Sequence, residues 1–169
     1  MASMRDIKRR RESIQSTGQI TKAMKLVSTV KLQKAKGKAE NTKPYFEHMY
    51  KAVNSMLRKS GNILHPYLQS GSSEKKGIIM VTSNRGLAGG YNSNILKQVS
   101  THMEGKDALV LPVGKKATDY FRNHKVPFFD DSFSVAEDVS ISDSFTVSKI
   151  VCKAFLNGDV DEVFLAYTE

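Results

Sequence analysis

The fold of this chain is decided first by the stretch from Met4 to Lys36, which reads MRDIKRRRESIQSTGQITKAMKLVSTVKLQKAK. It contains no proline and one glycine, and good helix formers dominate it. Ser3 is a suitable N-cap residue, and Asp6 three residues later completes a near capping box. The stretch therefore predicts a long N-terminal helix. Residues 37–44 end in Pro44, which predicts a kink or an interruption there.

Beyond Pro44 a second helical pattern runs to Gly61, with apolar residues spaced three and four apart. We therefore assign residues 1–60 to a helical segment. Residues 61–75 are rich in turn-forming residues and predict a linker.

Residues 76–169 alternate between short apolar runs and helical patterns, which predicts an α/β domain with a mostly parallel, Rossmann-like sheet. Helical patterns separate the four predicted strands, which are GIIMVTS (77–83), DALVLPVG (107–114), KVPFFD (125–130) and VDEVFLAYT (160–168). A buried strand seldom closes such a domain. We therefore expect the domain to be incomplete at its C-terminal end and the 169 residues to be part of a longer chain.

The positive charge of the chain is concentrated in its first third. Residues 1–60 carry a net charge of +11, whereas residues 61–169 carry −2. Such asymmetry indicates an acidic partner for the N-terminal segment, which could be a nucleic acid, an anionic lipid or an acidic protein surface. No apolar run is long enough to predict a membrane-spanning helix.

The apolar residues of the first helix fall on two opposite sides when they are placed at 100° intervals. Met4, Ile7 and Ile14 share one side. The opposite side carries Ile20, Ala23, Met24, Val27 and Val30. The two ends of the helix are therefore expected to face different neighbours. A helix lying on its own domain with solvated lysines and a helix paired with another helix both remain open at this point.

The loop TSNRGLAGGYN (82–92) follows a predicted strand and precedes a helix, where phosphates often bind. Its glycines, Gly86, Gly89 and Gly90, match neither the dinucleotide nor the P-loop pattern. We interpret them as a structural turn and expect no bound cofactor.

No constellation of residues predicts catalysis or a metal site. The four histidines are scattered without ligand spacing, and Cys152 is a lone cysteine on an apolar helix face. A lone cysteine cannot form an intramolecular disulfide and fits a reducing cytoplasm. No nucleophile, base and orienting group come together.

Two blocks together carry a specific resemblance. The N-terminal stretch quoted above, with ITKAM (20–24), and TSNRGLAGGYNSN (82–94) resemble the γ subunit of F-type ATP synthase in order and spacing, and the resemblance extends over all 169 residues. Ala88 stands where many members of that family carry cysteine.

The resemblance implies a fold and a function. The N- and C-terminal helices of that family form an antiparallel coiled-coil shaft, and the chain between them forms an α/β domain that binds no nucleotide. The shaft rotates inside the hexamer of α and β subunits and couples proton flow through the membrane c-ring to ATP synthesis or hydrolysis. The ε subunit is a further partner. The subunit itself is expected to be non-catalytic, to insert in no membrane, and to lie at the cytoplasmic face of the bacterial membrane.

The resemblance also suggests roles for particular residues. Contact with an acidic loop of the β subunit is expected at Arg9, Met24, Lys25 and Arg85. Shaft packing is expected at Ile7, Ile14, Ile20, Val27 and Val30.

Two alternatives compete with this interpretation. The first is a basic nucleic-acid-binding α/β protein, although the first half of the helix has no aromatic residue to stack on bases. The second is a small nucleotide-binding enzyme that uses the loop from Gly86 to Gly90.

Overall fold

A computed structural model describes residues 3–61, 63–69, 71, 74–133, 135 and 139–168. The chain divides into two compact units, Met1–Ile63 and Leu64–Glu169. Each is described separately below.

The first unit is a single α-helix, α1, which spans Met4–Lys59. Its 56 residues correspond to about 84 Å of helix at 1.5 Å per residue. The predicted capping box is present, since Ser3 N donates to Asp6 Oδ2 at 3.2 Å and Ser3 Oγ accepts from Arg5 N at 3.2 Å. Arg58 and Lys59 lie in the last turn, where positive charge interacts favourably with the helix dipole.

The helix continues through Pro44, so of the two predicted possibilities near residues 37–44, a kink or an interruption, the interruption does not occur. Proline removes one backbone donor, but the helical hydrogen bonds on either side of it remain available. The apolar repeat that begins at Phe46 therefore belongs to the same helix as Met4.

The second unit contains a parallel three-stranded sheet in the order β2–β1–β3. Its elements follow the predicted alternation of strands and helices. They are β1 (Lys76–Val81), α2 (Tyr91–Met103), β2 (Ala108–Val113), α3 (Lys115–Asn123), α4 (Ile141–Leu156) and β3 (Glu162–Ala166), with a 3-10 helix at Pro66–Leu68. The α/β class is thus confirmed.

Buried side chains lie on both faces of this sheet. Ile78 of β1 and Val110 of β2 are paired in register and form one core with α2 and α3, in which Phe121 is the largest fully buried side chain. Leu111, which points to the opposite face because side chains alternate along a strand, is also fully buried. Because both faces of the sheet are buried at β2, the sequence of this strand is a continuous apolar run.

The predicted strand KVPFFD does not form as a full strand. Its Phe128 makes only an isolated parallel bridge to Val110, through Val110 N to Pro127 O at 3.1 Å and Phe129 N to Val110 O at 3.0 Å. The next residue of β2 that faces this edge is Pro112, which has no N–H to donate. The ladder therefore stops after one bridge.

Candidate functional site

The glycine loop closes onto the start of α2 through a pair of polar side chains. Asn92 accepts from Ser83 N at 3.0 Å and donates through Nδ2 to Ser83 Oγ at 2.8 Å. Ser83 Oγ is also 2.6 Å from the Arg85 carbonyl oxygen, to which it can donate. These bonds hold the loop against its own helix.

Only one of the three loop glycines has a positive φ. This is Gly89, at 55°. The other left-handed residue of the loop is Leu87, with φ 60°, whose side chain is fully exposed. Gly86 has open space around it apart from the Lys116 side chain. Backbone conformation therefore favours glycine only at Gly89, whereas at Gly90 the constraint is space, since a Cβ there would lie 3.0 Å from Asn94 Nδ2.

The same loop also caps the neighbouring helix α3. Lys115 N donates to Asn84 Oδ1 at 3.1 Å, and Lys116 N donates to the Ser83 carbonyl at 3.2 Å. Ala117 N donates to Thr82 Oγ1 at 2.9 Å. A helix N-terminus binds phosphate with free first-turn N–H groups. In α3 these three groups are already engaged by the chain itself.

A close backbone approach supports this capping. Gly114 precedes α3 with φ 101°, and a Cβ at this position would collide with the carbonyl oxygen of Thr82. The ends of β1 and β2 are therefore in direct contact. Sequence reasoning missed Thr82, Asn92 and Gly114, although a glycine between a strand and a helix is a recognisable signal for such an approach.

The surface of α1 is the second feature of functional interest. None of its residues is buried, and the predicted shaft residues Ile7, Ile14, Ile20, Val27 and Val30 are 53–73% exposed. A helix gains most of its stability from packing an apolar face. The exposed apolar residues of α1 therefore make its surface a candidate contact surface.

The charge of α1 is almost uncompensated within the helix. One ion pair joins Lys36 Nζ to Glu40 Oε1 at 3.6 Å, and both side chains are largely exposed. The helix carries the entire excess of positive charge identified above.

The residues of α1 that are predicted to contact an acidic loop do not form one cluster. Arg9 lies 15 residues before Met24, or roughly 22 Å along the helix axis at 1.5 Å per residue. Lys25 is adjacent to Met24 in sequence but points about 100° away around the axis. Arg85 is exposed in the glycine loop of the second unit. These residues could serve several contacts, but Arg9 and Met24 cannot share one compact contact.

The part of the chain that the structure describes contains no cluster of histidine, cysteine, aspartate and glutamate suited to a metal ion. Within it, no helix combines the length and hydropathy needed to span a bilayer. The acidic residues Asp130, Asp131, Glu137 and Asp138 of this chain are described only in part, because Glu137 and Asp138 lie outside the described residues.

The fold, the glycine loop and the surface of α1 define a class of protein. Its members contain a small parallel α/β unit and a long basic helix, and in this chain no residue of that helix is buried. Comparison with known proteins identifies the family. A family model described as ATP synthase matches residues 3–169. The chain belongs to the ATP synthase γ-chain family.

Individual relatives support this assignment over nearly the whole chain. The ATP synthase gamma chain of Lachnoclostridium phytofermentans is 60% identical over 169 residues, which cover 99% of this chain and 58% of the relative. The sodium-ion-specific ATP synthase gamma chain of Acetobacterium woodii is 38% identical over 168 residues, covering 99% and 56%. The gamma chain of Alkaliphilus metalliredigens is 37% identical over 167 residues, covering 98% and 58%. The chain thus spans less than two thirds of the length of these relatives.

Proposed function

We propose that this chain forms part of the central rotor stalk of an F-type ATP synthase. In this role it couples proton translocation through the membrane sector to ATP synthesis or hydrolysis at the β-subunit sites by rotation. The observation that carries the proposal is α1: 56 helical residues with none buried, with exposed apolar residues and with the excess positive charge of the chain.

A rotor shaft needs the features that α1 has. It must be long and continuous to transmit torque, and α1 continues through Pro44 without interruption. It must bury apolar residues against a second helix, and it must present charge to the surrounding subunits. The basic side chains of α1 fit an acidic loop of the β subunit, which Arg9, Met24, Lys25 and Arg85 would contact at separate points.

The proposed domain organisation is the one predicted from the sequence. Residues 1–60 form the shaft segment, residues 61–75 a linker and residues 76–169 the α/β domain. The 3-10 helix at Pro66–Leu68 adds a refinement, because the ring of Tyr67 lies 6.1 Å from that of Phe155 in α4. The linker is thereby attached to the domain at Tyr67.

The proposed partners are the α and β subunits of the catalytic hexamer, the ε subunit and the membrane c-ring. The chain would act as a peripheral subunit at the cytoplasmic face of the bacterial membrane, without inserting into the bilayer. Catalytic residues would belong to the hexamer, and this chain would be a non-catalytic component.

The α/β domain is proposed to bind no nucleotide. The glycine loop has neither recognised phosphate-binding pattern, and the first-turn N–H groups of α3 are engaged by Thr82, Ser83 and Asn84. Titration calorimetry of the isolated chain with Mg-ATP and with NADH should give no micromolar binding. A stoichiometric site for either ligand would support the nucleotide-binding enzyme instead.

Copurification tests the proposed assembly. A tagged full-length chain should recover α, β and ε subunits from cells at physiological salt. The alternative function, nucleic-acid binding, predicts instead that the chain recovers DNA or RNA and releases it steeply as salt rises. Recovery of nucleic acid without α and β subunits would overturn the stalk proposal.

A further inference from the structure

The turn between α4 and β3 contains the one asparagine of the sequence that is followed directly by glycine, Asn157 before Gly158. Both residues are exposed to solvent. The side-chain amide of an asparagine can be attacked by the backbone nitrogen of the next residue. Glycine hinders this attack least, because it has no Cβ and its backbone reaches the most conformations. The pair therefore has the chemistry of an intramolecular deamidation site.

The fold requires glycine at this position for a separate reason. Asn157 is the C-cap residue of α4, and Gly158 after it has φ 77°. Gly158 N donates to the Phe155 carbonyl at 3.1 Å, and Asp159 N donates to the Ala154 carbonyl at 2.9 Å. These two bonds form a Schellman motif, in which the residue after the C-cap is left-handed and is usually glycine. The helix end thus places glycine directly after an exposed asparagine.

The same motif restrains the reactive nitrogen in the folded chain. The N–H of Gly158 is engaged by Phe155, and Asn157 has near-helical backbone angles, with φ −77° and ψ −11°. Attack on the amide needs a rotation about ψ of Asn157 that turns the Gly158 nitrogen towards its side chain. This rotation breaks the bond to Phe155. Because helix ends open at little cost in free energy, the reactive conformation is reached by fraying of the last turn of α4.

We propose that Asn157 is a site of spontaneous deamidation whose rate is controlled by the opening of this turn. The Gly158 nitrogen gives up its proton to solvent and forms a bond to Asn157 Cγ, and the side-chain nitrogen leaves as ammonia. The product is a five-membered succinimide ring. Water then opens the ring at one of its two carbonyl carbons. Cleavage of the new bond to Cγ gives aspartate, and cleavage of the original peptide bond gives isoaspartate.

The aspartate product places a negative charge at the C-terminus of α4. The helix dipole is negative at that end, and Asp159 is two residues away. The new charge is therefore unfavourable on both counts, and this product weakens the end of the helix.

The isoaspartate product lengthens the main chain by one methylene group inside a turn that is fixed on both sides. On one side Asp159 N is bonded to Ala154 of the helix. On the other side Val160 is 1% exposed, and Asp161 N donates to the Lys75 carbonyl at 2.9 Å. The extra length cannot be absorbed without breaking one of these contacts. We therefore expect isoaspartate to disturb the connection between α4 and β3 more than aspartate does.

Peptide mapping by mass spectrometry tests the site in the full-length chain. The folded protein is incubated at mildly alkaline pH, and electron-transfer fragmentation separates aspartate from isoaspartate at each asparagine. We expect Asn157 to convert roughly tenfold faster than Asn41 and Asn123, which are also exposed but are not followed by glycine. Both products should form. Conversion no faster than at the two controls would overturn the assignment, and aspartate alone would exclude the ring intermediate.

A pair of glycine variants tests the control by fraying. Leu156→Gly weakens the last turn of α4 at an exposed position and should raise the rate at Asn157 about threefold to fivefold. Ser142→Gly weakens the first turn of the same helix and should leave the rate nearly unchanged. The parent chain unfolded in urea should convert faster than either folded variant. Equal rates in the folded and the unfolded parent chain would show that the Schellman motif does not restrain the reaction.

Two substitutions at the site test the consequence. Asn157→Asp reproduces one product and should lower the Tm of the full-length chain by about 1–4 °C, whereas Asn41→Asp adds the same charge in the middle of α1 and should change it less. Asn157→Gln keeps an amide but cannot close the five-membered ring, so it should keep its Tm during the incubation that lowers the Tm of the parent chain. An equal decline in Asn157→Gln and the parent would contradict a stability loss that originates at Asn157.

Discussion

The Ala117 backbone N–H donates a 2.9 Å hydrogen bond to Thr82 Oγ1, and this bond ties the first turn of α3 to the end of β1. Thr82 is 8% exposed, so the bond is shielded from water. Together with the contacts of Ser83 and Asn84 it means that the loop after β1 engages the first-turn N–H groups of α3, which are therefore not free to bind a phosphate. The loop has a structural role at this sheet edge.

Removing this hydroxyl should destabilise the second unit. Thr82→Val keeps the shape of the side chain but leaves the Ala117 N–H without its acceptor, at a cost of about 1–3 kcal/mol. Urea unfolding followed by near-ultraviolet circular dichroism measures the loss. Thr101→Val, at an exposed site on α2, is the matched control and should change stability little. Equal losses in the two variants would show that the Thr82 bond contributes nothing.

The approach of Gly114 to Thr82 gives a second stability prediction. Gly105→Ala places a side chain at φ 72° with open space around it and should cost about 1–2 kcal/mol. Gly114→Ala also has positive φ and in addition drives a methyl group into the Thr82 carbonyl oxygen. We therefore expect a clearly larger loss at Gly114 in the same unfolding assay. The close approach would be refuted by identical losses.

The N-cap of α4 predicts a dependence on pH. The backbone N–H of Ser140 donates to Asp143 Oδ2 at 2.7 Å, and this bond, with that of the Ser140 hydroxyl, lowers the pKa of Asp143. Because the pKa is lower in the folded state, the stabilisation is present above the unfolded pKa and is lost as pH falls through the folded pKa. Asp143→Asn should thus be less stable than the parent chain near pH 7 and should approach it in strong acid. A stability gap that is the same at both pH values would exclude this mechanism.

The sequence predicted the class of the fold and the start of α1 well, because these depend on local signals. The capping box at Ser3 and the alternation of apolar runs after Lys76 are read from neighbouring residues. The sequence left open whether α1 is kinked or interrupted at Pro44, because a proline signal acts locally whereas the helical repeat on both sides of it is long. The third strand was over-predicted, because Pro112 lies in another strand and its effect on pairing depends on sheet order.

The glycine loop shows a similar limit. Its failure to match a phosphate-binding pattern could be recognised from the spacing of Gly86, Gly89 and Gly90. The engagement of the first-turn N–H groups of the neighbouring helix α3 could not be recognised from the sequence, since Thr82 and Ala117 are 35 residues apart. Contacts of this kind depend on strand order and register.

Met24 provides a test of coupling in the assembled complex. On the proposed function, Met24→Lys adds a cation within reach of the acidic β-subunit loop and creates an attraction worth up to about 1 kcal/mol if exposed. An extra attraction at one rotor angle raises the barrier to leaving that angle. We expect normal assembly with fewer protons pumped per ATP hydrolysed, measured in membrane vesicles.

The matched control is Leu26→Lys, which adds the same charge to an exposed apolar position about 160° from Met24 around the helix. It should pump with the efficiency of the parent complex. Unchanged pumping by Met24→Lys, or the same loss in both variants, would mean that Met24 makes no special contact.

The central claim is that α1 turns relative to the catalytic subunits, and a reversible covalent tether tests it most directly. In a full-length chain with Cys152→Ser, a cysteine replaces Lys25 and a second cysteine is placed in the acidic loop of the β subunit. ATP hydrolysis by the purified complex is measured before oxidation, after disulfide formation and after reduction. We predict that hydrolysis falls in proportion to the crosslinked fraction and returns on reduction. Undiminished hydrolysis by a fully crosslinked complex would contradict rotation of this helix.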